Sequence, residues 1–174
     1  MTVTVDVVDA TGLVADHEAV CGLVEAVLTA EGLLRQVAVA FVDEAAIADL
    51  NCRYRDAEGS TDVLSFDYSP EDAADAGWPE WEATDAPATV GVDQAGEMAM
   101  AGEIVVCPQV VIRYAAEDGR DPTLQLGWTL IHGVLHLAGY DHETDQGEMR
   151  AREQELLGRL SDRVGALALA KDRE

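Results

Sequence analysis

The sequence predicts an α/β fold, with a small four-stranded mixed sheet packed by about five helices. Three observations predict it. Short β-branched runs of period two alternate with capped runs of helical period in βαβα order from the start. The later part of the chain adds two strands and its longest apolar helix. At 174 residues and 48% hydrophobic composition, the chain has the size and apolar content for one core, so a single domain over residues 1–174 is expected.

The elements follow in order. "TVTVDVV" alternates as a strand does, and "DHEAVCGLVEAVLTAEG" follows with Asp16 placed to cap a helix and Gly32 to stop it. "QVAVAFVD" is a second strand, and "DEAAIADLNCRYR" a second helix capped by Asp43, with Ile47, Leu50 and Tyr54 on its apolar side. "TDVLSFDY" and "GEIVVC", the latter from Gly102, read as strands three and four. Pro108 suits the first turn of the helix "PQVVIRYAAEDG". Asp121-Pro122 opens a further helix through "TLQLGWTLIHGVLHL", apolar nearly all round and therefore central, stopping near Gly139. "DQGEMRAREQELLGRL" closes the series as an amphipathic helix offering Met149, Leu156 and Leu160 to the core, and the last dozen residues are expected to fray. Between strands three and four, residues of about 70–100 form an acidic insertion, read as a long loop or flap on which Trp78 and Trp81 would dock.

Charge is uneven: 34 acids face 11 bases, for a net of −23, and no Lys or Arg occurs from Asp56 to Ile112. Such a surface repels nucleic acid in general. A solvating surface for a salty or crowded cytoplasm is the simpler account, and a functional acidic patch the sharper one. The opening residues lack a secretory pattern and no run is long enough to span a membrane, so a soluble cytoplasmic protein is expected. Cys21, Cys52 and Cys107 form no CxxC pair, which favours buried free thiols over disulfides.

The segment "HGVLHLAGYDH" concentrates three of the chain's four histidines. His132 and His136, four apart on one helix, present both imidazoles to one point. Gly139 permits the turn that brings His142 back as a third nitrogen ligand. Three imidazoles suit zinc and leave its fourth position open, the arrangement of a catalytic rather than a structural site, with one zinc per chain. His17, at the start of a helix, is better explained as a hydrogen-bonded residue. The histidine and glycine spacing is that of the metzincin pattern, but Gly133 stands where those peptidases have their glutamate base. Glu143 or Glu103 would have to replace it.

The same segment resembles the signature of the YbeY family of bacterial rRNA maturation factors. "NCRYRDAEGSTDVLSF" is similar to a second block of that family, "GEIVV" to one of its strands and "EMRAREQELL" to its closing helix. Membership implies an α/β fold with a zincin-like site in which His132, His136 and His142 bind zinc, and Arg55 as the basic catalytic-site residue. It also implies a single-strand-specific endoribonuclease acting in 16S rRNA 3′-end maturation and ribosome quality control. Its partners would be rRNA and ribosomal particles or assembly factors, without DNA or membrane. Two departures stand out: Glu103 where aspartate is usual, and the length of the acidic segment.

Arg55 has the charged planar fork that can hold two phosphate oxygens, although position alone would make it a surface arginine. Asp62 and Asp141 are candidates either to orient a ligand imidazole or to cap turns. Tyr140 and Phe66 can stack on bases, with core packing the simpler role. The rivals are a metallopeptidase-like hydrolase and an assembly or RNA-binding factor with a structural zinc. A zinc deaminase is excluded, because no P-C-x-x-C follows the histidines.

Overall fold

The computed structural model describes residues 3–33, 36–67, 100–141 and 143–170. The acidic segment with Trp78 and Trp81 falls almost wholly outside these residues, as does His142.

Strand β1 (Val5–Asp9) leads to helix α1 (His17–Ala30), then to β2 (Gln36–Phe41) and α2 (Glu44–Arg55). Asp16 and Asp43 cap their helices as expected, accepting hydrogen bonds from the backbone N–H groups of Ala19 at 2.9 Å and Ala46 at 2.8 Å. Strands β3 (Val63–Asp67) and β4 (Met100–Val106) precede α3 (Pro108–Asp118) and α4 (Pro122–Leu137). Pro108 and Pro122 occupy first-turn positions, where a missing N–H costs nothing, and Asp121 accepts from Thr123 N at 2.8 Å.

The sheet order is β1-β2-β4-β3, with β1, β2 and β4 parallel and β3 antiparallel to β4, so the sheet is mixed as expected. Alternation along the strands divides the apolar residues into two clusters. Val37, Val39, Ile104 and Val106 pack with α1 and α4, while Ala40, Leu64 and Val105 pack with Ile47 and Leu50 of α2 and Val110 of α3.

Helix α4 is central, touching α1, α3, β3 and β4 as well as the two helices that follow it. Glycine makes this approach possible: a Cβ on Gly133 would lie 2.8 Å from Ile104 Cγ2 of the sheet. The Ser65 hydroxyl of β3 donates to the Gly133 carbonyl at 2.9 Å, pinning the helix to the sheet edge.

The chain ends differently from expectation. After α5 (Glu148–Arg159) a short sixth helix, α6 (Ser161–Gly165), forms, and Leu169 bridges back to Val14. Val164 and Leu167 are buried, so the last dozen residues are packed as far as 170 rather than frayed: two apolar side chains close the core beside α1 and α4. Cys107 is buried and Cys21 half-buried, but Cys52 is exposed because it falls on the outer side of α2. Among the described residues, no helix is long and apolar enough to cross a membrane.

Candidate metal centre

His132 and His136 stand one turn apart near the C-terminal end of α4, and their Nε2 atoms are 3.0 Å from each other. The other nitrogen of each ring is occupied. His132 Nδ1 lies 2.5 Å from Oε1 of Glu153, and His136 Nδ1 lies 3.2 Å from the carbonyl of Tyr140. Both acceptors favour a proton on Nδ1, which leaves the Nε2 lone pairs directed at one point. Two lone pairs at that separation repel unless a cation or proton lies between them.

Local sequence produces this arrangement. Gly139 adopts φ +96, and the reversed chain lets Tyr140 N–H donate to Leu135 O at 3.0 Å. The same reversal folds the Tyr140 carbonyl onto His136. The glycine expected to return His142 thus orients the second imidazole.

Glu153 is the residue that sequence reasoning missed. It is 5% exposed, on the inward side of α5 between Met149 and Leu156, and its second oxygen accepts from the Trp128 indole N–H at 2.9 Å. The Trp128 and His132 rings lie 5.0 Å apart, tilted by 31°. A glutamate within the Met149–Leu156 apolar stripe was the available signal, since a buried carboxylate needs partners. Trp128, four residues before His132, was the natural place to look for one.

The other candidates separate. Asp62, at the entrance to β3, lies near enough to His132 for the charges to interact; burial raises its carboxyl pKa above the ordinary value, and interaction with His132 acts in the opposite direction. Asp141 caps a turn, accepting from Glu143 N at 3.0 Å. Glu143 is exposed. Glu103 pairs across strands with Phe66, on the face opposite to Gly102 and Ile104, which lie under α4. It therefore points away from the histidine helix and is not placed to replace the peptidase base.

Arg55 is the exposed last residue of α2, followed by Asp56 in the left-handed region at φ 50. No hydrogen bond or ion pair among the described residues ties it to the histidines. Tyr140 and Phe66 both pack against core clusters, Phe66 edge-on to Tyr54 at 5.3 Å. His17 is half exposed and its Nε2 lies 3.5 Å from Asp9, so it is a surface partner rather than a core residue.

The donor set fits a zinc ion in its chemistry: two convergent imidazole nitrogens, each held from behind by an oxygen acceptor. His142 lies outside the described residues, and no group of three metal-binding side chains forms among those described.

Known proteins resemble most of the chain. Endoribonuclease YbeY from Frankia alni is 38% identical over 76% of this chain and 67% of its own length. Endoribonuclease YbeY from Thermobifida fusca is 35% identical over 88% of this chain and 92% of its own. The solution structure of TM1509 from Thermotoga maritima superposes with a TM-score of 0.52 at 25% identity, covering 91% of this chain and 93% of that one. The family model for endoribonuclease YbeY matches residues 9–161, from the end of β1 to the start of α6, and this protein belongs to that family.

Proposed function

We propose that this protein is a zinc-dependent endoribonuclease that cleaves single-stranded RNA in 16S rRNA 3′-end maturation and ribosome quality control, in the cytoplasm. The observation that carries the reading is the pair of Nε2 atoms 3.0 Å apart with each Nδ1 against an acceptor. His132, His136 and His142 would hold one zinc ion. Zinc held there would supply Lewis acidity, lowering the pKa of a bound water toward neutrality and polarising a phosphoryl oxygen.

The remaining work belongs to side chains. Glu153 and the Tyr140 carbonyl keep the two imidazoles in one tautomer and orientation. Arg55 binds nonbridging phosphate oxygens and stabilises the added negative charge of the transition state, where a planar fork serves better than a point charge. rRNA and ribosomal particles are the partners this reading assigns. Gly133 weighs against the peptidase alternative, because the close contact with Ile104 leaves no room for a glutamate at that position.

Single-turnover cleavage of an rRNA fragment with a single-stranded 3′ extension, using metal-stripped and zinc-restored protein, tests the proposal. Cleavage should vanish on stripping and return with about one zinc per chain. Undiminished cleavage by fully stripped protein would refute the zinc dependence.

A further inference from the structure

A groove of about 850 Å³ runs between α4 and α5 and reaches His132. Its volume lies within the range of about 300–1,000 Å³ typical of ligand sites. On α4 the lining residues recur every fourth position, Leu124, Trp128 and His132, so they form one continuous stripe leading to the histidine pair. Across the groove, α5 contributes Arg150 and Gln154, and Arg120 stands just before α4.

The arginines in this groove differ from most of those described outside it. Outside it, four of the six described arginines, Arg53, Arg113, Arg152 and Arg159, are held by carboxylates, and Arg163 donates to the Gly22 carbonyl. Arg120 and Arg150 have no ion-pair partner among the described residues. The acids beside them are engaged: Glu153 with Trp128 and His132, and Asp145 with the backbone N–H groups of Gly147 and Met149, both at 2.9 Å. The groove thus offers two uncommitted guanidinium groups in a chain of net charge −23. Leu124 is 45% exposed and Trp128 half-buried, which adds an apolar surface between them and the histidines.

We infer that this groove binds a single-stranded RNA segment beside the metal centre, with Arg120 and Arg150 on backbone phosphates and the Leu124–Trp128 surface under an unpaired base. The inference rests on the reading of the chain as an RNA-cleaving enzyme. Unpaired strands expose base faces that an apolar or aromatic surface can cover, whereas a duplex keeps them stacked inside. The occupant is therefore a single strand.

The test is anisotropy binding of a short labelled single-stranded RNA to metal-stripped protein over a salt series, beside single-turnover cleavage with zinc restored. Arg120→Ala/Arg150→Ala is compared with Arg53→Ala/Arg159→Ala, which removes the same charge away from the groove. Two lost phosphate contacts should lower the slope of log affinity against log salt by about 1.4, with weaker binding and a raised half-saturating protein concentration in the cleavage assay. The control pair should keep the wild-type slope. An unchanged slope in the groove variant, or an equal loss in the control pair, overturns the subsite while wild-type cleavage still supports the nuclease reading. A zinc-restored wild type that binds RNA in this groove but cleaves none refutes the nuclease reading, and one that binds no RNA refutes both.

Discussion

Glu153 is a carboxylate in the protein interior, and a buried charge is costly unless it is paired and hydrogen-bonded. His132 and Trp128 supply the two donors it needs. Glu153→Gln cannot serve both, because an amide presents one acceptor oxygen and an N–H₂ that would face a donor. Zinc affinity should fall about 10- to 100-fold, as for other residues that orient a ligand from behind, in competition with a chromophoric chelator. An unchanged affinity would separate Glu153 from the metal. Asp9 makes a different case: its side chain is 2% exposed and accepts hydrogen bonds from Thr11, Gly12 and Val14. Burial raises its pKa, the hydrogen bonds outweigh burial, and the net shift is downward. A lowered native pKa means stability that is present in full above the unfolded value, about 3.9, and lost as pH falls through the native value. Asp9→Asn should therefore be less stable than wild type at neutral pH, with a gap that closes in acid below about pH 4. Urea melts across pH check this, and a gap constant into strong acid would contradict it. The histidine intervals were legible because helical spacing is local. The partners of Glu153 were not, because His132 lies on another helix 21 positions away.

At the scale of elements, glycines in helices report how closely their neighbours approach. Gly133 of α4 faces Ile104 and the Ser65 hydroxyl, whereas Gly158 of α5 has open space where a Cβ would stand. Alanine gains about 1 kcal/mol over glycine in a helix, but overpacking a core costs about 1–3 kcal/mol. Gly158→Ala should raise stability by up to about 1 kcal/mol, and Gly133→Ala should lower it by up to about 2 kcal/mol. Denaturant midpoints at constant m would show the opposite signs, and a stabilised Gly133→Ala would contradict the close packing of α4 on the sheet. The same contact explains why position 133 is not the glutamate of the metzincin pattern. Aspartate caps and the prolines at helix starts made the boundaries of α1, α2, α3 and α4 legible. Helix α6 was missed because five residues carry little periodic signal; its formation depends on Val164 finding a place against α4.

For the whole molecule, a net charge of −23 and an RNA substrate oppose each other, and the location of the arginines bears on the conflict. Four of the eight described arginines are tied to carboxylates and Arg163 donates to the Gly22 carbonyl, while Arg55, Arg120 and Arg150 have no ion-pair partner among the described residues. Composition revealed the acidity but not this sorting, which depends on side chains brought together by the fold. The α/β class and mixed sheet were legible from alternating periodicities, and the histidine motif from its spacing. Arg55 entered through family resemblance alone, and among the described residues no hydrogen bond or ion pair joins it to the histidines. Single-turnover RNA cleavage beside zinc content, for wild type, Arg55→Ala and Arg55→Lys, tests the central claim of phosphoryl transfer at this centre. Zinc content and thermal stability should be nearly equal in all three, while Arg55→Ala loses about 10²–10³ in rate and Arg55→Lys recovers only part of it. Equal cleavage rates in the three proteins would contradict the account.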